Sequence, residues 1–156
     1  HPSLTEDDAE TIYHAAPMHD IGKVSISLEL LNKPGPLSAD EMTLIQTHTT
    51  NAQQFLNQAH RKIVKAAGII AYQHHEKWDG SGYPQGLKGD DIHIFGRIVA
   101  LADTFDALTH DRPYRKEWTV DQAVDYVREH SGSHFDPTLV VIFQAHINDF
   151  VDIACG

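Results

Sequence analysis

The chain is organised around residues 74–84, which read HHEKWDGSGYP. Two adjacent histidines, His74 and His75, end an apolar helical run over residues 63–72, and a glycine-rich turn follows that closes on Tyr83 and Pro84. Adjacent helix residues point about 100° apart, so one metal ion does not easily bind both rings, whereas two neighbouring ions could. The pair therefore predicts a hinge between two metal positions. The alternative is a helix C-terminus whose histidines complement the helix dipole, and it is preferred unless other residues complete a site.

Composition predicts one folded domain in a reducing, cytoplasmic compartment. The chain has 156 residues and ordinary hydrophobic content, which is enough for one core. A single cysteine, Cys155, excludes an internal disulfide, and we expect no membrane insertion because no apolar run is long enough. The net charge of −10 disfavours binding to duplex nucleic acid or to a membrane surface. Twelve histidines are the exceptional feature.

Helix signals without strand alternation predict an all-α fold with no significant β-sheet. Thr5 is an expected N-cap, Ser38 and Thr119 begin capping boxes, and Asp136 followed by proline begins the last helix, expected to run to about Ile153. Pro17 should kink the first helix. Residues 24–31 are predicted to be a loop or a short helix. Longer helices are predicted over residues 38–56, about 60–75, and 92–109.

Histidines and carboxylates recur on these helices in the pattern of a metal site. Each has an ordinary alternative: Asp103 in a salt bridge with Arg97, His48 as a satisfied helix histidine, and Asp20 as a cap after Pro17. Their joint occurrence favours a site, because ligands from facing helices converge in a bundle core. Imidazole and carboxylate without cysteine suit iron, manganese or zinc. The candidate ligands are His19, Asp20, His48, His74, His75 and Asp103.

Ordered motifs over residues 15–115 resemble the HD-GYP family, a branch of the HD-domain phosphohydrolases. The resemblance implies an HD-type helical bundle that hydrolyses cyclic di-GMP, to linear pGpG or to GMP, with a metal-bridging hydroxide as nucleophile. The motifs are HDIGK at residues 19–23, LNKPG at 31–35, His48, HHE at 74–76, DGSGYP at 79–84, DTFDALT at 103–109 and RPYR at 112–115.

Residue roles follow from the same resemblance. It implies that the six candidate ligands hold two divalent ions, with Asp20 bridging them. Iron or manganese is expected first, and zinc, nickel or magnesium are alternatives. Lys23 matches the lysine beside the scissile phosphate, and Asp20 and Lys23 are therefore the catalytic candidates. Tyr83, Arg112 and Arg115 match positions that hold the substrate.

The chain also departs from the family pattern. The family usually has an earlier helix with a further histidine and an acidic ligand, and Leu28 and His110 stand where aspartate and serine are commoner. We therefore do not carry over a third metal. The expectation is a single catalytic domain over residues 1–156, without the family's first helix or an upstream regulatory domain. In this arrangement His19, Asp20, His48 and Asp103 define one metal position, and His74 with His75 a second.

Three further functions compete with cyclic di-GMP hydrolysis. One is hydrolysis of 3',3'-cyclic GMP-AMP. The second is a non-catalytic module that senses cyclic dinucleotides or binds proteins through the loop at Gly82, Tyr83 and Pro84. The third is a generic HD nucleotidase, for which the loop over residues 79–84 would have no role. Besides the cyclic dinucleotide, the expected partners are a protein at this loop and a second copy of the chain in a homodimer.

Overall fold

The computed structural model describes residues 4–58, 60–110 and 118–155, with side chains described up to residue 151. No strand occurs within these ranges, and one isolated bridge joins Ser131 and Phe135. The all-α prediction is confirmed. The α-helices are α1 (Glu6–Ala15), α2 (Leu28–Leu31), α3 (Ala39–Leu56), α4 (Lys62–Gln73), α5 (Ile94–Thr109), α6 (Val120–Glu129), α7 (Pro137–Ala145) and α8 (Ile147–Cys155), and the 3₁₀ turns are Ala16–Met18, Ile21–Ser25 and Gly89–Asp91.

The four predicted N-caps are confirmed, whereas α4 and α5 begin two residues later than predicted, at Lys62 and Ile94. Capping boxes begin at Thr5, Ser38 and Thr119, each with a side chain three residues later that bonds back to the cap. Asp136 caps α7 by accepting a 2.8 Å hydrogen bond from the Thr138 N–H. Each cap satisfies amides that have no partner within the helix, so local sequence fixes where these helices begin.

Three further boundaries differ from the sequence predictions. Pro17 lies in the Ala16–Met18 turn, after α1 has ended at Ala15, because proline cannot donate the amide that would continue the helix. Helix α4 ends at Gln73, so His74 is its C-cap and His75 lies beyond it. The predicted last helix is two helices, α7 and α8, that meet at His146, whose N–H is shared between the carbonyls of Ile142 and Phe143.

The bundle has two apolar clusters that share α5. One lies between α1, α4 and α5, with Ala67 and Ile70 fully buried. The other lies between α5, α6 and α7, around Phe105, Val127 and Phe143. Because α5 contributes to both clusters, Asp103 near its middle is held in a fixed place.

A close backbone approach holds the Ile21–Ser25 turn against α3. A Cβ at Gly22 would lie 1.9 Å from the carbonyl oxygen of His48, so no larger residue fits without a shift. The Asn51 amide donates to Ser25 Oγ at 2.7 Å and ties the same two elements together. This contact sets Asp20, just before the turn, beside His48 on α3.

Candidate metal centre

The fold brings all six candidate ligands to one region between the helices. Asp20 and three histidines place ligand atoms within 4.8 Å of one another. Asp103 lies next to this group through a contact with His19, whose Nε2 is 3.6 Å from Asp103 Oδ1. The contributing elements are the segment before the Ile21–Ser25 turn (His19, Asp20), α3 (His48), the end of α4 (His74, His75) and α5 (Asp103).

Backbone carbonyls orient three of the four imidazoles. His48 Nδ1 lies 2.7 Å from the carbonyl oxygen of Ile45, and His19 Nδ1 lies 2.9 Å from that of Ala16. His74 Nδ1 lies 3.1 Å from the carbonyl oxygen of Ile70. A carbonyl only accepts, so each Nδ1 must carry a proton, and Nε2 is the nitrogen left to face the cluster. This is how histidines that bind metals are usually held.

Three buried atoms point at each other without a hydrogen bond. Asp20 Oδ1, His48 Nε2 and His74 Nε2 have no partner among the described residues. Asp20 Oδ1 lies 3.5 Å from His48 Nε2 and 3.9 Å from His74 Nε2. Ligand atoms about 2.1 Å from one metal ion stand roughly 3.0–3.5 Å apart, so these separations suit a shared ion after a small adjustment. Unpaired buried polar atoms are costly, and a divalent cation would satisfy all three.

Asp20 faces two groups of side chains. Its Oδ1 faces His48 and His74, and its Oδ2 lies 3.3 Å from His19 Nε2. The rings of His74 and His75 are 3.9 Å apart at their centroids. The sequence expectation put His48 with His19 and Asp103, whereas the ligand atoms within 4.8 Å of one another join His48 to His74 and His75. His19 lies beside Asp103, and its ring is also 5.1 Å from that of His74.

The local electrostatics favour an ionised Asp20 and the neutral forms of His48, His74 and His75, whereas a hydrogen bond to Asp20 raises the pKa of His19. Burial lowers the pKa of His48, and burial together with nearby His19 lowers that of His74 to about 4. Burial also lowers the pKa of His75. Burial opposes ionisation of Asp20, yet hydrogen bonds from His19 and Lys23 outweigh it and hold the pKa of this carboxyl far below its ordinary value. Neutral imidazole and carboxylate are the forms that bind metal ions.

Lys23 and Tyr83 border the cluster. The Lys23 ammonium donates to Asp20 Oδ2 at 2.5 Å while remaining partly exposed. Tyr83 stacks on His75, with ring centroids 4.8 Å apart. Burial, with the charges of Asp20 and Asp103, raises the pKa of Tyr83, so its hydroxyl stays protonated and can donate a hydrogen bond.

A buried carboxylate shapes the loop that carries Tyr83. The sequence alone gave this residue no role. Glu76 is 2% exposed and accepts hydrogen bonds from the N–H groups of Gln85 at 2.7 Å and Leu87 at 2.9 Å. At Gly82 a Cβ would lie 2.3 Å from the Lys77 nitrogen, so the loop folds tightly back on its own start. The sequence signal was present, since an acid before a glycine-rich turn can bind the free amides of that turn.

The ordinary alternative for Asp103 was a salt bridge with Arg97, and Arg97 has other partners. Arg97 bridges Asp90 and Asp136, each at 2.8 Å, and lies over the Trp78 ring. Arg97 therefore ties α5 to the start of α7, while Asp103 faces His19. The predicted substrate residues Arg112 and Arg115 lie outside the described residues.

Two openings flank the cluster. The first is an apolar groove of about 350 Å³ beside His19 and Asp103, between α1 and α5. The second, which we name the α5–α6 cavity, has a volume of about 370 Å³ and is bordered by both polar and apolar side chains. Its walls include His74, His75, Asp103, Trp118, Tyr126 and His134.

An all-α bundle with buried histidines and carboxylates converging on one point defines the class as a helical metal-site domain. Comparison with known families makes this specific. The HD domain family matches residues 2–139, and the chain belongs to that family. The expected HD-GYP branch is confirmed by relatives whose sequences match nearly the whole of this chain.

Several of these relatives are named for cyclic dinucleotides. The chain is 45% identical to 3'3'-cGAMP-specific phosphodiesterase 2 of Vibrio cholerae over 96% of its own length and 29% of that protein. It is 43% identical to a cyclic di-GMP phosphodiesterase response regulator of Xanthomonas campestris, over 88% of this chain and 36% of that one. A Thermotoga maritima cyclic di-GMP phosphodiesterase is 40% identical over 96% of this chain and 41% of that protein. The chain thus spans about a third of these curated relatives.

A solved structure supports the fold. A cyclic GMP-AMP-specific phosphodiesterase of V. cholerae superimposes with a TM-score of 0.65 at 21% identity, covering 94% of this chain and 40% of that one. Within the described residues, no helix is both long and apolar enough to cross a membrane.

Proposed function

We propose that the chain is a metal-dependent phosphodiesterase that hydrolyses cyclic di-GMP to linear pGpG or to GMP. The observation that carries the proposal is the convergence of the unpaired Asp20 Oδ1, His48 Nε2 and His74 Nε2 in a buried position. The names of the relatives supply the substrate class. Because the chain matches only part of each relative, the activity is proposed for this chain from its own site.

We propose that the six side chains hold two divalent ions that share Asp20. One position would be held by Asp20 with His48, His74 and His75, and the other by Asp20 with His19 and Asp103. When bound, two such ions supply an activated water and stabilise charge on the phosphoryl oxygens. Histidine with carboxylate suits iron or manganese first, and a third ion is not proposed.

Residues beside the cluster would act on the substrate. The Lys23 ammonium, next to Asp20, can stabilise negative charge on the phosphate or give a proton to the leaving oxygen. The protonated Tyr83 hydroxyl can donate to the substrate, while stacking on His75 holds its ring in place. Arg112 and Arg115 remain proposed phosphate-binding residues, because planar guanidinium groups bind phosphate oxygens in pairs.

Hydrolysis of 3',3'-cyclic GMP-AMP is the second candidate, favoured by the identity with the V. cholerae relative of that specificity. A non-catalytic sensing module is disfavoured, because the complete cluster would then have no use. Protein binding at the Gly82–Pro84 loop, a homodimer and a cytoplasmic location stay predictions.

Turnover assays separate these functions. The protein, purified without oxygen and loaded with Fe(II) or Mn(II), is given cyclic di-GMP or 3',3'-cyclic GMP-AMP, and the products are separated by chromatography. We expect metal-dependent cleavage of cyclic di-GMP that a chelator abolishes. Faster cleavage of the mixed dinucleotide would favour the second candidate, and binding without cleavage of either would show a sensing module.

A further inference from the structure

His134 borders the metal cluster through the α5–α6 cavity but takes no part in the proposed ligand set. It lies in the turn between α6 and α7, which is joined to the segment after His75. The Trp78 N–H donates to the carbonyl of His134 at 3.1 Å, and the Asp79 N–H donates to that of Ser133 at 2.9 Å. The turn and the end of α4 are therefore fixed relative to each other.

The His134 ring has one face covered and its edge available. The ring stacks on Phe135, with centroids 4.2 Å apart and planes within 16°. No described residue forms a hydrogen bond with either ring nitrogen. Burial, with the nearby charges of Lys77 and His130, lowers the pKa of His134 to about 4. At neutral pH the ring thus offers one N–H donor and one acceptor nitrogen.

The cavity has the size and walls of a nucleotide site. Its 370 Å³ lies near the lower end of the roughly 300–1,000 Å³ found for small-molecule sites, which suits one nucleotide better than a whole cyclic dinucleotide. Trp118 and Tyr126 meet edge to face, with centroids 5.7 Å apart, and they border the cavity. Aromatic rings bind bases by stacking, and both purines carry an acceptor at N7.

We propose that the α5–α6 cavity binds one purine nucleotide of the substrate, with its phosphate at the metal cluster, and that His134 hydrogen-bonds the base. The proposal rests on the phosphodiesterase function proposed above. It places the base beside His134 and the scissile phosphate beside His74, His75 and Asp103, which also line the cavity. The base position and the phosphate position are linked because the cavity borders the candidate metal ligands.

Steady-state kinetics with cyclic di-GMP test the proposal. The variants are His134→Ala, His134→Gln and Ala107→Phe, the last of which narrows the cavity from α5. The control is His146→Ala, an exposed histidine outside the cavity. Loss of one hydrogen bond should raise KM about three- to tenfold in His134→Ala. His134→Gln should retain part of the binding, Ala107→Phe should also raise KM, and the control should match the wild type.

Bound manganese per chain should equal that of the wild type in every variant, and kcat should change less than twofold. If the wild type is active and KM is unchanged in both His134→Ala and Ala107→Phe, this inference is overturned while the proposed phosphodiesterase function stands. An equal loss of metal and kcat in His134→Ala and His134→Gln would also overturn it, since His134 would then be structural. A wild type that cleaves neither cyclic dinucleotide would refute the proposed function, and the inference with it.

Discussion

At the scale of single residues, the side chains around Asp20 fall into two kinds, those proposed to hold metal and those proposed to hold substrate. Tyr83 stacks on a candidate ligand, His75, through its ring and leaves its hydroxyl for another partner. Asp20 and His48 instead direct unpaired atoms at each other. Variants at these two kinds of position should therefore fail in different assays.

Tyr83→Ala should weaken substrate binding without releasing metal. We expect KM for cyclic di-GMP to rise about tenfold, because base or sugar packing and a hydroxyl donor are both lost. Tyr83→Phe, which keeps the ring, should show a smaller rise. Metal content is measured in parallel by elemental analysis. An unchanged KM in Tyr83→Ala would remove Tyr83 from the substrate site and favour the loop as a protein-binding surface.

His134 should make stability depend on pH. Its pKa is lowered from 6.5 to about 4 in the folded chain, so between these values the unfolded chain binds more protons. The free energy of unfolding should therefore fall as pH drops from 6.5 to 4. In His134→Gln this fall should be shallower, with His146→Ala as the control. Urea unfolding at a series of pH values measures it, and identical slopes in wild type and His134→Gln would contradict the assignment.

The sequence predicted which residues gather at the site better than it predicted their grouping. His19, Asp20, His48, His74, His75 and Asp103 stand out because polar ligands recur on apolar helices. Their proposed division between two metal positions depends on the side-chain directions at the end of α4, and no proline or glycine at residues 73–75 marks that end. His134 gave no signal, because its importance comes from a contact between distant parts of the chain.

At the scale of elements, the Ile21–Ser25 turn and α3 must touch for the site to form. Gly22→Ala would place a methyl 1.9 Å from the His48 carbonyl oxygen, so one of the two elements must move. We expect a loss of about 1–3 kcal/mol of stability, typical of overpacking, and weaker metal binding. Urea unfolding and manganese titration measure the two effects.

Gly68→Ala provides the matched control for this variant. The nearest atom to its added Cβ would be Leu56 Cβ at 3.4 Å, an ordinary contact, and alanine favours the α4 helix. Its stability should equal or exceed that of the wild type. If Gly22→Ala behaved like Gly68→Ala, the close approach would not be what positions Asp20.

The four capped helix starts followed from local sequence, whereas the ends of α1, α4 and α7 did not. Caps at Thr5, Ser38, Thr119 and Asp136 are side-chain chemistry within one turn, which the sequence contains in full. The break at His146 follows the apolar run over residues 139–143, and no proline or glycine marks it. Phe150 of α8 packs on Phe105 and Phe143, and this tertiary contact stabilises the change of direction between α7 and α8.

At the scale of the whole molecule, two apolar clusters that share α5 hold a polar centre between them. Four elements deliver ligands to that centre, and openings on two sides give access to it. Burial lowers the pKa of His48, His74 and His75, and the carboxylate of Asp20 faces both groups of side chains. The fold therefore forms, before any substrate arrives, a cluster that could hold a metal ion.

The central claim is that Asp20 joins two metal positions that carry out hydrolysis. The most direct measurement is bound manganese per chain, with cyclic di-GMP turnover, for the wild type, Asp20→Ala and Lys23→Ala. Asp20→Ala should lose metal and abolish turnover, since both positions use its carboxylate. Lys23→Ala should keep the wild-type metal content and lower turnover, about a hundredfold or more. Equal metal loss in both variants, or full metal content in Asp20→Ala, would contradict the claim.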